Sequence, residues 1–148
     1  MSVVPVVFRP AVPTDAPALT DLERDANLVA LAHVFGDTPY PWDEVHERWT
    51  RTLADPAVRV EVAGPAELLE VYVCWDAALL RHLAVRPESW GSGLARQAIE
   101  RAAEAERLWC LVENRRARGL YEHLGWHRTG HERAAEWPPY PREMEYAR

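Results

Sequence analysis

The stretch "LLRHLAVRPESWGSGLARQAIERAAE", residues 79–104, constrains this chain more than any other. Leu79–Val85 is a seven-residue run long and apolar enough for a buried strand. From Gly93 to about Glu104, Leu94, Ala95, Ala98, Ile99, Ala102 and Ala103 recur at the spacing of one helix face. Pro87, Gly91 and Gly93 punctuate the hand-over, so a strand passes into a helix through a glycine-rich turn. The first N–H groups of a helix have no internal partner and carry partial positive charge. Such a turn is an anion cradle wherever no Cβ blocks the approach, a condition that glycine meets. The plainer reading, in which the glycines serve turn geometry alone, stays open at this point.

The remaining elements follow from periodicity and turn chemistry. "VVPVVFR" (3–9) reads as a strand, with Pro5 placing it at an edge. A helix capped by Thr14 or Asp15 carries Leu19, Leu22, Ala26 and Val29, and a second runs to about Ala54 with Val45, Trp49 and Leu53 four apart. The intervening "FGDTPYPW" (35–42) is a turn-rich loop. Strands are expected at 58–64 and 68–75, the latter with Leu69, Val71, Val73 and Trp75 on one face and Glu70, Tyr72 and Cys74 on the other. "LWCLV" (108–112) is a short buried strand. Asn114 opens a helix striped by Ala117, Leu120, Tyr121 and Leu124 and closed by Gly125, and strands near 127–131 and 143–147 finish the chain. Hairpins early and crossover helices late describe an α/β fold, an α+β mixed sheet of about six to seven strands flanked by about four helices. Residues 1–148 are of a length for one domain.

Composition narrows the partners. The net charge is −6 and every basic residue is arginine, which argues against nucleic acid but not against a local anion site at a helix end. The N-terminus reads as no signal peptide, and no apolar run approaches a membrane span, so a cytoplasmic protein is expected. Cys74 and Cys110 read as buried free thiols, and no spacing suits a metal. A nucleotide P-loop needs Gly-Lys-Ser/Thr, and there is no lysine; a dinucleotide fingerprint would place Gly or Ala where Arg96 stands.

The turn resembles the acetyl-CoA turn of GNAT-type N-acetyltransferases, Gln/Arg-x-x-Gly-x-Gly/Ala after Val-x-Pro. Val85 and Pro87 precede it, Gly93 and Ala95 match the small positions, and Trp90 replaces Gln/Arg. A second block, "NRRARGLYEHLGW" (114–126), resembles the family's Asn-x-x-Ala-x-x-Leu/Phe-Tyr-x-x-x-Gly-Phe/Trp, with Asn114, Ala117, Leu120, Tyr121, Gly125 and Trp126 in register. "RPAVPTDAPAL" also resembles the usual opening. The resemblance spans essentially the whole chain. It implies acetyl-CoA as cosubstrate, no metal, and direct transfer to an amine of a small molecule or peptide in a ternary complex. Relatives make a homodimer the expected assembly; nucleic acid and membrane are not expected partners.

By the same resemblance, Trp90, Gly91, Ser92, Gly93, Leu94 and Ala95 hold the pyrophosphate through main-chain amides. The main chain of Leu83, Ala84 and Val85 pairs with pantetheine, with Val85 near the thioester. Tyr121 is the expected general acid, since a phenol stays protonated at neutral pH; as a bare helix-stripe residue it would be a core aromatic. Asn114 is a helix cap, a cofactor contact, or both. His82, Glu70, Asp76 or a water chain are the alternatives for the general base, with His82 best placed by pKa. His33, Phe35, Tyr40, Trp42, Tyr72 and Trp75 either line an acceptor pocket, with Asp37, Asp43 or Glu44 attracting a cation, or close the core beneath two helices. The competing function is a catalytically idle CoA-binding sensor of the same fold.

Overall fold

The computed structural model describes residues 6–148. The strand expected at 3–9 falls partly outside them; within them the first strand is the two-residue β1, Arg9–Pro10. A 3₁₀ turn at Pro13–Asp15 leads into α1, Ala16–Ala30. Asp15 does not cap that helix: its carboxylate takes Arg9 in a two-pronged pair at 2.9 Å and the Val12 N–H at 2.7 Å. The bond from Arg9 holds the Asp15 carboxyl below the usual carboxylate range. A four-residue α2, Ala32–Phe35, precedes the loop expected at 35–42 and ends on its first residue, and α3 spans Trp42–Ala54.

Then come β2 (Arg59–Ala63), β3 (Val71–Trp75) and β4 (Leu79–Val85), joined antiparallel. The crossover α4, Leu94–Arg101, returns the chain to β5, Arg107–Leu111, which pairs parallel with β4. Helix α5, Arg115–His123, and strands β6 (His127–Ala134) and β7 (Arg142–Ala147) complete a seven-stranded sheet of order β1-β2-β3-β4-β5-β7-β6. The mixed sheet with helices on both faces is the architecture expected from the sequence, with one short helix more.

Two cores sandwich the sheet. On one face Leu19, Leu22, Val45, Trp49, Val60 and Val62 pack with Tyr72 and Cys74; on the other, Leu94, Ala98, Ile99, Leu108, Tyr121 and Tyr146 pack with Val71, Val73 and Trp75. β3 is therefore buried on both faces, as a central strand must be. Leu69, expected beside Val71 and Val73, joins the opposite core, because it precedes the regular pleat. Val29 is likewise solvent-facing, and Leu31 takes the inward position where α1 ends. A bulge between Cys74 and Trp75 shifts the β3–β4 register, which lets Leu80, Leu83 and Val85 share a core despite their uneven spacing. Among the described residues, no helix is long and apolar enough to cross a membrane.

Candidate functional site

The parallel pairing of β4 and β5 lasts only two residues, Leu79 with Arg107 and Leu80 with Leu108. Beyond them the strands part. From Arg81 to Val85, β4 keeps its antiparallel partner β3 on one side and has no strand on the other. An open cleft of about 1160 Å³ fills the gap, walled by β4, β5, the glycine turn and α5, and reaching α1 and α3.

At one end the cleft meets the turn. Gly91 and Gly93 have φ of 82° and 85°, left-handed backbone that L side chains adopt at a cost, and a Cβ on either would project into open space. Among the described residues, the amides of Gly91, Gly93, Leu94, Ala95 and Arg96 meet no backbone acceptor. Five donors thus stand without a backbone partner along the turn and the first residues of α4, the kind of group an oxyanion cradle uses. Ser92 is exposed, with its hydroxyl on the Ser89 carbonyl at 2.5 Å, and does not line the cleft.

Trp90 has a definite place. Its indole N–H donates to the Val85 carbonyl at 2.8 Å, so this carbonyl at the end of β4 already has a donor. The outer face of the ring carries Arg116 from α5, the guanidinium carbon lying 4.2 Å from the ring centroid. Arg116 makes no ion pair among the described residues and lines the cleft beside the glycines. Next to it Asn114 Oδ1 accepts the Ala117 N–H at 3.2 Å, the N-cap bond expected, and Asn114 also lines the cleft; both readings of that residue therefore hold geometrically.

Tyr121 lies midway along the cleft, ring edge against Trp126 and packed in the core, with no hydrogen bond from its hydroxyl among the described residues. Burial, then the neighbouring Cys110, pushes the phenol far above its ordinary value, so it is protonated at neutral pH. Cys74 and Cys110 are free and buried, as expected, and both border the cleft. Burial raises both thiols to about 12, which leaves almost no thiolate at neutral pH.

The far end is built around a carboxylate that the sequence reading missed. Glu23 projects from the apolar stripe of α1, where Leu19, Leu22 and Ala26 face the sheet. It pairs with Arg48 of α3, and accepts Trp49 Nε1 at 3.2 Å, Tyr72 Oη at 3.3 Å and Tyr40 Oη at 3.4 Å. Burial works against the Arg48 charge, but Glu23 more than offsets it and the guanidinium stays ionised. His82 sits on the same face of β4, 5.9 Å from the Trp49 ring. Burial, with Arg48 adding to it, depresses the imidazole to about 4, so His82 is neutral at physiological pH. Of the other candidates for a base, Asp76 is consumed by the Ala78 and Leu79 amides and Arg81, and Glu70 lies outside the cleft, where a β-turn brings it against Gly64.

A smaller cavity of about 110 Å³ opens beside Glu23, and Phe35 and Tyr40 line it with Trp137 of the β6–β7 loop. Three expected acceptor residues lie elsewhere. Trp75 points to the opposite face of the sheet, buried and donating to Glu104 at 2.6 Å, because alternation along β3 puts it with Val73 rather than Tyr72. Trp42 turns outward to Asp21 at 2.9 Å and stacks on His46. His33 bonds the Glu113 carbonyl at 3.0 Å, tying α2 to the loop before α5. The sequence did carry signals for Glu23 and Arg48, each a charge interrupting an apolar helix face; nothing in it marked Arg116 or Trp137.

Residues 57–128, from the lead into β2 to the start of β6, match the acetyltransferase (GNAT) domain family. That segment is just under half of the chain, and what it shows is a similarity to the GNAT acetyltransferase domain. The fold is that of solved acetyltransferases. An acetyltransferase from Thermus thermophilus is 21% identical, with 100% of this chain and 99% of that one covered at a TM-score of 0.74. PaiA N-acetyltransferase from Thermoplasma acidophilum, solved with coenzyme A, is 13% identical over 98% of this chain and 100% of that one, TM-score 0.68. A mutant of spermidine N-acetyltransferase SpeG from Vibrio cholerae is 22% identical over 95% and 91%, TM-score 0.64. No curated protein matches the sequence.

Proposed function

We propose that the described chain works as one unit that moves the acetyl group of acetyl-CoA directly to a primary amine of a small molecule or peptide. The observation that carries this reading is the continuity of the cleft: an unpaired strand edge at 81–85 runs into a turn with five free amides. Bound there, acetyl-CoA supplies an activated acyl group. The residues present fit it, since both glycines leave open the space a phosphate would need and Arg116 stands beside them uncompensated.

The free edge of Leu83 and Ala84 takes the pantetheine amides as an added strand would. Val85 contributes less than expected, its carbonyl being held by Trp90. The amides of Gly91, Gly93, Leu94, Ala95 and Arg96 and the Arg116 guanidinium answer the phosphate charge. Tyr121, protonated and free to donate, gives its proton to the departing thiolate. His82 is unprotonated in the same cleft and relays the ammonium proton by way of water; its depressed pKa makes it a weak base, so the proton passes on to solvent. With both thiols protonated, neither cysteine is a competent nucleophile, which favours direct transfer over an acetyl-enzyme.

The test is a thermal-unfolding panel of CoA, acetyl-CoA, ATP and NAD, followed by thiol release across many amines. Stabilisation by the CoA species alone and thiol release with one amine class are expected. Stabilisation by ATP or NAD instead would overturn the cofactor assignment, and CoA binding without release from any amine would make the chain a binding module.

A further inference from the structure

The cavity beside Glu23 bears on which amine is used, and the inference rests on the transferase reading above. It shares Glu23, Asn27, Leu31, Phe35 and Trp137 with the main cleft, so the two spaces are continuous. Its walls are mostly apolar or aromatic, among them Leu28, Leu31, Phe35, Tyr40, Val45 and Trp137, with Asn27 and Thr38 the uncharged polar residues. Glu23 is the one charged side chain that lines it. Its Oε1 accepts from Arg48, Trp49 and Tyr72 and its Oε2 from Tyr40 at 3.4 Å; the Arg48 cation neutralises the carboxylate and leaves no net negative charge for a second ammonium.

Two physical consequences follow. A cationic group entering this cavity would lose its hydration and find no free counter-ion, a cost that an apolar group does not meet. The volume of about 110 Å³ is a little below the roughly 150 Å³ cavity that holds benzene, so a branched aliphatic group or one ring at the open mouth fills it. From these observations we infer that the acceptor is a primary amine bearing one compact apolar substituent and no second cation, with the substituent seated between Leu31, Phe35, Tyr40 and Trp137. A polyamine is the excluded class.

The test is calorimetric binding of phenethylamine and of spermidine to the full chain, alone and saturated with CoA, with Ala32→Phe as the variant. Ala32 lines the cavity on an exposed turn of α2, so a larger side chain there occupies the space without disturbing the core. The unfolding midpoint of the variant checks that it folds. Phenethylamine is expected to bind at least about tenfold tighter than spermidine, and Ala32→Phe to weaken phenethylamine at least about tenfold. A smaller preference, the reverse preference, or a variant that binds phenethylamine undiminished overturns the inference. A failure of CoA to bind would count against the transferase reading alone, because the amine comparison on the unliganded protein decides the pocket separately.

Discussion

Tyr121 and Arg116 sit a helical turn and a half apart on α5 and are asked for different things, which makes them separable. In the proposed mechanism Tyr121 gives a proton and makes no cofactor contact of its own. Tyr121→Phe keeps the buried ring and should lower kcat by about tenfold or more with CoA affinity nearly intact, as steady-state kinetics beside a CoA titration will show. Turnover equal to the parent's removes the phenol from the chemistry. Arg116 is held over Trp90 rather than by a carboxylate, so its charge is unspent. Arg116→Ala should weaken CoA about five- to tenfold, and added salt should narrow the difference between parent and variant, since the lost interaction is ionic. If affinity and salt response both stay put, the turn amides hold the phosphates without it.

At the scale of elements, α1 and α3 lie on one face of the sheet and are joined by Glu23 and Arg48 as well as by the core under them. Both side chains are largely withdrawn from water, so truncating one strands the other. Glu23→Ala leaves the Arg48 cation and three neutral donors without their acceptor and should cost about 2–3 kcal/mol in urea unfolding. Replacing both, as Glu23→Ala with Arg48→Met, should return part of that loss, because no unpaired charge is left. A single variant as stable as the parent would mean that water satisfies Arg48 in place of the carboxylate. The same two helices border one end of the cleft, so this pair links stability to the shape of that end.

Across the whole molecule, His82 couples acid sensitivity to the cleft. Its folded pKa of about 4 lies below the value near 6.5 of an exposed histidine. Between those values the unfolded chain binds more protons than the folded one. The contribution of His82 is thus complete above about pH 6.5 and is lost as pH falls toward 4. Urea unfolding at intervals from pH 7.5 to 4.5 should show declining stability, with a shallower decline in His82→Gln. Identical slopes would show that the imidazole is open to water in the folded state. Asp15, held low by Arg9, begins to add its own loss as pH falls into the ordinary carboxylate range, at the lower end of the His82 window.

What the sequence determined is what depends on near neighbours. Strand and helix periods located β4, α4, β5 and α5; left-handed glycines marked the turn; Asn114 announced its cap, and the structure has the bond. Each of these is a contest among residues within a few positions, where spacing is the physics. Tertiary structure alone decided the parting of β4 from β5 after two paired residues, the β3–β4 bulge, and the meeting of Glu23 with Arg48 and Tyr72, 25 and 49 positions away. It also sent Trp75 and Trp42 away from the cleft and brought in Trp137 and Arg116. Those outcomes turn on sheet twist, register and which helix covers which face, and a linear pattern of apolar and polar residues is compatible with several answers to each.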